Sequence, residues 1–190
     1  MAMVIRAPQP PLSDGVVTLR PWGEDGDVEA ITAACNDRAI AEFLDLIPSP
    51  YTRRDARAYI RLCREGWATG TMTNFAITAA GRSAIGSIGV RWLEPEHGVA
   101  EVGYWVAPDL RGRGICTRSL RLVSRWAIDN CGAERLQLRA DELNPASRKV
   151  AENAGFTQEG ILRSSRFNAR LGRRVDFVMY SLLPGELVAR

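Results

Sequence analysis

The segment that most limits how this chain folds lies between Ala100 and Thr117, A-E-V-G-Y-W-V-A-P-D-L-R-G-R-G-I-C-T. A strand over Val99–Val106 stops at Pro108, and the turn Arg111-Gly112-Arg113-Gly114 leads straight into a helix over Gly114–Asn130. Cys116, Leu120, Val123 and Ala127 share one face of that helix, extended by Trp126. The first N–H groups of a helix lack intrahelical partners, and the helix dipole places partial positive charge there. Glycines let a bulky anion approach that backbone closely, so the unit is a ready cradle for a phosphate or pyrophosphate. Arg111 and Arg113 add full charges beside it. A Walker loop would end in Gly-Lys-Ser/Thr, which is absent. A dinucleotide fingerprint would need a third glycine where Thr117 stands, although Glu134 follows Gly114 by 20 residues. The unit also follows three strands instead of opening a βαβαβ half, which weighs against that fingerprint. Glycines that serve only to turn the chain are the remaining reading.

Around this unit the chain alternates helical and strand patterns. Residues 1–14 read as a flexible, proline-rich arm and Val16–Arg20 as a first strand. Helical spacing covers Asp25–Asn36 and Ala39–Leu44, and the capping box Thr52-x-x-Asp55 announces another helix. Phe75–Ala79 and Ala84–Leu93 read as strands around an Ala80-Gly81-Arg82 turn. Arg135–Ala140 alternates as a half-buried strand does. Pro145–Ala154 is a helix with Asn144 as N-cap and Gly155 as its stop. Thr157–Leu162 and Val175–Leu183 close the chain as strands around a polar loop. The order β-αα-βββ-α-β-α-ββ predicts one α/β domain, residues 1–190, with a mixed sheet.

Composition narrows the function classes. The 190 residues, 46% hydrophobic and 25% charged, suit one soluble domain with its own core. No stretch nears the ~18 apolar residues of a membrane span, and residues 1–12 lack the apolar stretch of a secretory signal. Cys35, Cys63, Cys116 and Cys131 are not at metal-ligand spacing, which predicts reduced thiols, a cytoplasmic location and no metal. The single histidine, His97, sits in a Glu-Pro-Glu-His-Gly turn and is expected to be solvated. The net charge of +3 is uneven: residues 1–100 carry 10 Arg and 12 acids, residues 101–190 carry 14 Arg, 1 Lys and 10 acids. Arg111, Arg113, Arg118, Arg121 and Arg125 fall in one stretch free of acids. No stacking aromatics interleave with the arginines, so a small anionic ligand is expected in place of nucleic acid or membrane.

The glycine turn, Arg111-Gly112-Arg113-Gly114-Ile115-Cys116, resembles the Arg/Gln-x-x-Gly-x-Gly/Ala signature of the GNAT superfamily of acyl-CoA-dependent N-acetyltransferases. Glu101–Pro108 before it is typical of the family. Asn144-Pro145-Ala146-Ser147 through Ala154-Gly155-Phe156 is similar to the family's Asn-x-x-Ser helix and its Gly-Phe ending. Val17–Pro21, Glu159–Arg163 and Tyr180–Pro184 look like the branch that acetylates ribosomal-protein N-termini at serine or alanine. The likeness spans roughly Val16 to Leu183. Cys116 departs from the pattern, where Gly or Ala is usual.

The resemblance implies a mixed, mostly antiparallel sheet with splayed central strands and flanking helices. It implies direct acetyl transfer from acetyl-CoA to a primary amine, either a protein N-terminus, as of a ribosomal protein, or a small molecule such as an antibiotic or polyamine. A non-catalytic acyl-CoA-binding module stands as the alternative. By position, Glu101 becomes the base, Ser147 the acid that protonates the thiolate, and Tyr104 a spare acid. Trp105 and Val106 offer backbone to the pantetheine and thioester. Arg111, Gly112, Arg113, Gly114, Ile115, Cys116 and Thr117 cradle the pyrophosphate, and Asn144 adds a cofactor contact while capping its helix. The acceptor is placed between residues 37–64 and the Arg-rich stretch Arg163–Asp176. The oligomeric state stays open, a homodimer included.

Overall fold

Short-range chemistry sets most of the helix boundaries. The computed structural model describes residues 5–23, 26–44, 47–79 and 83–187. Thr52 Oγ1 accepts from the Asp55 N–H at 3.3 Å and the Asp55 carboxylate accepts from the Thr52 N–H at 2.9 Å. This capping box opens a helix at Arg53–Thr69, which Gly70 ends in the left-handed region at φ 70°. The helix Pro145–Ala154 likewise starts where Asn144 Oδ1 accepts from the Ser147 N–H at 3.0 Å, and stops at Gly155.

Five α-helices are described: α1 (Asp27–Asn36), α2 (Arg38–Ala41), α3 (Arg53–Thr69), α4 (Ile115–Cys131) and α5 (Pro145–Ala154). The strands are β1 (Leu12–Ser13), β2 (Thr18–Pro21), β3 (Met72–Thr78), β4 (Gly86–Glu94), β5 (Val99–Val106), β6 (Arg135–Asp141), β7 (Thr157–Asn168) and β8 (Arg173–Leu182). They form one eight-stranded sheet in the order β1-β2-β3-β4-β5-β6-β8-β7. Every neighbouring pair is antiparallel except β5–β6, which α4 connects as a crossover. Alternation along the strands divides the apolar side chains between two faces. On one face Ala100, Val102, Leu136 and Leu138 pack with Leu120, Val123 and Ala127 of α4 and Ala151 of α5. On the other, Ala76 packs with Trp22, Ile31 of α1 and Ala56, Ile60 and Cys63 of α3.

Four expectations need correction. Residues 5–14 do not form a free arm: Ile5 is buried, β1 pairs with β2, and Asp14 holds Arg118 at 2.7 Å. The helical patch expected over Ala39–Leu44 is a single turn at Arg38–Ala41, started by Asp37, whose side chain accepts from the N–H groups of Ala39 and Ile40. Three helices separate β2 from β3, one for each helical segment read from the sequence and one more than the αα of the predicted order. The Arg-rich stretch expected as a loop is strand, because β7 runs to Asn168 and β8 begins at Arg173. Most of its side chains are exposed or half-buried, with only Asn168 and Val175 buried, so it carries no apolar alternation to read, and Arg174 instead bonds Ser164 across the pair. The strand expected at Val16–Arg20 is β2, shifted to Thr18–Pro21 and preceded by β1. The Ala80-Gly81-Arg82 turn lies outside the described residues.

The buried pair Arg20–Asp27 ties β2 to the start of α1. Arg20 donates to both carboxylate oxygens at 2.8 and 2.9 Å, and the Gly23 N–H donates a third bond at 2.8 Å. Asp27 is fully buried. Removing one member of such a pair strands the other charge, so Asp27→Ala is expected to cost roughly 3–5 kcal/mol. Urea unfolding followed by tryptophan fluorescence measures it, and a cost under about 1 kcal/mol contradicts this account of the pair.

Candidate active site

The site begins where a ladder ends. β5 and β6 pair only at Val99↔Arg135, Ala100↔Leu136 and Glu101↔Gln137. Beyond Glu101, β5 continues against β4 as far as Val106, and β6 continues against β8 as far as Asp141. The two strands diverge, and the backbone groups that face the gap have no strand to bond. Two cavities occupy this splay. The larger, about 530 Å³, runs past β5 to the start of α4. The smaller, about 300 Å³, lies between β5, β6 and β8. Phe43, Leu44, Tyr104, Asn144 and Ser147 line both.

The residues singled out in the sequence as cofactor contacts converge on the larger cavity. Trp105, Val106, Arg111, Gly112, Gly114, Ile115, Cys116, Thr117 and Asn144 line it, and Arg113 does not. Gly112 and Gly114 have φ 73° and 74°, and a Cβ on either would point into open space. Glycine is thus required there by backbone conformation, not crowding. Gly114 caps α4 with no side-chain hydrogen bond, which leaves the first N–H groups of the helix for a ligand. The arginine stripe is less available than its composition suggests. Arg118 is held by Asp14, and Arg121 donates to the Asn153 carbonyl. Arg111 lies at the cavity wall, exposed, 4.0 Å from Asp37. The positive charge facing this cavity is therefore Arg111, Lys149 and the helix dipole, while Arg118 and Arg121 tie α4 to the residue after β1 and to α5.

At the wall shared by both cavities, Tyr104 Oη donates to the Ser147 carbonyl at 3.0 Å and lies 3.1 Å from Ser147 Oγ. Burial pushes the Tyr104 phenol well above its ordinary value, so it remains a proton donor. Tyr104 and Ser147, proposed from the sequence as separate acids, form one hydroxyl pair. Glu101 lines only the smaller cavity and is clamped. One oxygen accepts from Arg139 Nε at 2.6 Å, and the other accepts from Arg139 and Arg91, both at 3.0 Å. The base expected at Glu101 is thus a carboxylate whose two oxygens already serve guanidinium groups. Asn144 spends its side chain on the Ser147 N–H. Burial pushes the Cys116 thiol up to about 12, although Arg111 and the helix start favour the thiolate.

Several lining residues carry no sequence signal. Ile40, Phe43 and Leu44 follow from a one-turn helix whose docking onto the splay is not periodic. Val150 and Asn153 lie at i+3 and i+6 from Ser147, and that helical spacing was enough to find them. Arg139 meets Glu101 only through the β5–β6 register, 38 residues on.

Two measurements test this geometry. Gly114→Val places a β-branched side chain in the left-handed region at about 1–3 kcal/mol, so acetyl-CoA binding by calorimetry is expected to weaken about 10-fold or more. Unchanged affinity rules out the glycine turn as cradle. All four cysteines are buried, and burial raises each thiol. Ellman's reagent is expected to find no thiol in the folded protein and all four after unfolding.

Residues 17–157 match the family model described as Acetyltransferase (GNAT) domain. YdaF of Bacillus subtilis (strain 168) is 35% identical over 104 residues, 55% of this chain and 56% of that protein. The ribosomal-protein-serine acetyltransferase of Escherichia coli (strain K12) is 31% identical over 83 residues, 44% of this chain and 46% of that protein. These alignments span about half the length of either relative. RimL, a ribosomal L7/L12 alpha-N-protein acetyltransferase solved with coenzyme A, superposes with a TM-score of 0.78 at 22% identity, covering 91% of this chain and 96% of that one. The eight-stranded sheet, its splay and the family match agree: the chain belongs to the GNAT family of acetyltransferases, whose co-substrate is acetyl-CoA.

Proposed function

We propose that this protein transfers the acetyl group of acetyl-CoA to a primary amine, the N-terminus of a protein such as a ribosomal protein, by direct attack in a ternary complex. One observation carries the reading: two cavities enter the splay and share the Tyr104–Ser147 hydroxyl pair as a wall. The larger has the glycine turn and helix start that a pyrophosphate needs. The smaller is the acceptor's. A thioester at their junction meets an amine arriving from the other side, which supplies proximity without a covalent enzyme intermediate. The donors at the junction are the two hydroxyls, placed where a departing thiolate needs a proton. Glu101 acts by holding Arg139 against the acceptor cavity. Cys116 is a packing residue.

A protein N-terminus is favoured by the shape of the acceptor side. The β7–β8 tip closes on the segment after α2, with Asn168 Nδ2 donating to the Glu42 carbonyl at 3.0 Å and Arg170 to that of Ile47 at 2.9 Å. A cavity of about 300 Å³ under that closure admits a narrow chain end. The Escherichia coli relative is named for a ribosomal-protein serine, which supports the ribosomal class. A cytoplasmic site of action follows from that class.

Labelled acetyl-CoA incubated with a cell extract, separated into ribosomal, other protein and small-molecule fractions, tests the acceptor. Label is expected on N-termini in the ribosomal fraction, mapped by mass spectrometry; label confined to small molecules overturns the protein reading. Tyr104→Phe is expected to lower kcat roughly 100-fold while leaving acetyl-CoA affinity unchanged. Tyr104→Phe combined with Ser147→Ala should cost little more than the worse single change, because the pair acts as a unit.

A further inference from the structure

The clamped state of Glu101 leaves the proton of the acceptor amine without a destination, and the acceptor cavity holds a second carboxylate. Asp141 ends β6, opposite Phe177 of β8. Alternation sends Leu136, Leu138 and Ala140 into the α4–α5 core, so Arg139 and Asp141 face the other way, into the smaller cavity. Asp141 is 8% exposed. Its Oδ1 accepts from the Leu143 N–H at 2.8 Å, and its carbonyl accepts from the Asn144 N–H at 2.8 Å. Among the described residues its Oδ2 accepts no hydrogen bond and no cation lies within salt-bridge distance. The other charged groups of the cavity are accounted for differently. Glu101 and Arg139 bond each other, and Arg166 stacks over the Phe177 ring at 5.5 Å. Oδ2 is not among the buried polar atoms that lack a partner, so it is reached from the cavity that Asp141 lines.

We propose that Asp141 is a catalytic residue that receives the acceptor's ammonium group on Oδ2 and takes its proton. This rests on the acetyltransferase reading above. The ammonium transfers one proton to Asp141 and becomes a neutral amine, whose lone pair forms the C–N bond to the thioester carbonyl. Collapse breaks the C–S bond, the thiolate takes a proton from the Tyr104–Ser147 pair, the second proton shed by the new amide nitrogen restores that pair, and Asp141 releases its proton to water. The balance is ammonium plus acetyl-CoA giving amide, coenzyme A and one proton. The local turn explains the placement: the bonds to Leu143 and Asn144 fix Asp141 three residues before the cap of α5, so one turn holds the carboxylate in the smaller cavity and Ser147 at the wall shared by both.

The test compares Asp141→Asn with the unaltered protein. Asparagine keeps an Oδ1 for the Leu143 N–H and loses the charge. Two probes are used: a peptide with a free N-terminal serine, and the same peptide capped with an aminooxyacetyl group, whose terminal amine is uncharged at neutral pH. Asp141→Asn is expected to lower kcat/KM for the serine peptide about 100-fold or more, to leave the aminooxy peptide within about 3-fold, and to leave acetyl-CoA affinity unchanged. An equal loss on both probes makes Asp141 structural and overturns the proposal, as does no loss on either. Should Asp141→Asn not fold, Asp141→Ser carries the same comparison, because its hydroxyl still accepts from Leu143. Failure of the acetyltransferase reading is recognised separately: the unaltered protein then binds acetyl-CoA and turns over neither probe, and the role of Asp141 falls with it.

Discussion

Three rungs of parallel ladder hold the molecule's two sheet halves together and decide everything at the site. Pairing between β5 and β6 stops at Glu101↔Gln137, while each strand continues against its outer neighbour. A sheet that stops pairing in its middle exposes backbone donors and acceptors in what is otherwise the most buried part of the fold. Those groups are an unused valence, open to any ligand that carries its own amides. The cavities, the hydroxyl pair and both carboxylates all border this one interruption.

Electrostatics divides the labour between the two sides of the splay. On the α4 side, the positive potential comes mainly from backbone: a helix start that no side chain caps and two glycines in the left-handed region, with Arg111 and Lys149 at the wall. On the β8 side the charges come in opposed pairs. Glu101 is neutralised by arginines, and the carboxylate of Asp141 is left to meet whatever enters. The excess of arginine in the second half therefore has a structural destination more than a ligand-binding one, since Arg118, Arg121, Arg135 and Arg174 all reach partners within the chain.

What could be read from the sequence was whatever is local. β5 and α5 stand at their expected limits, because a proline stop, an N-cap asparagine and a terminal glycine act within a few residues. The glycine turn was legible for the same reason, and all the residues named in it but Arg113 line one cavity. What was hidden depends on partners distant in sequence. Glu101 looked like a free carboxylate until the β5–β6 register brought Arg139 beside it. Asp141 falls one residue past the strand read as Arg135–Ala140, and nothing near it in sequence reveals that β5 has turned away. The N-terminal segment looked unstructured because its anchor, Arg118, lies 104 residues downstream. Tyr104 and Ser147 were each suspected, but their union across 43 residues was not.

The short ladder also has a consequence for cooperativity. β3, β4 and β5 form a meander that carries α4, while β6, β8 and β7 form a second block that carries α5. Within each block the strands are paired along most of their length; between them stand three rungs, the Glu101–Arg139 and Tyr104–Ser147 bonds, and the packing around α4 and α5. Units that open together in a native protein are bounded where such cross-links thin out. The cleft lies on that boundary, so widening it breaks fewer bonds than loosening either block. A two-part ligand gripped from both sides then acts as the missing stitch, joining into one cooperative body what the chain by itself only bastes together.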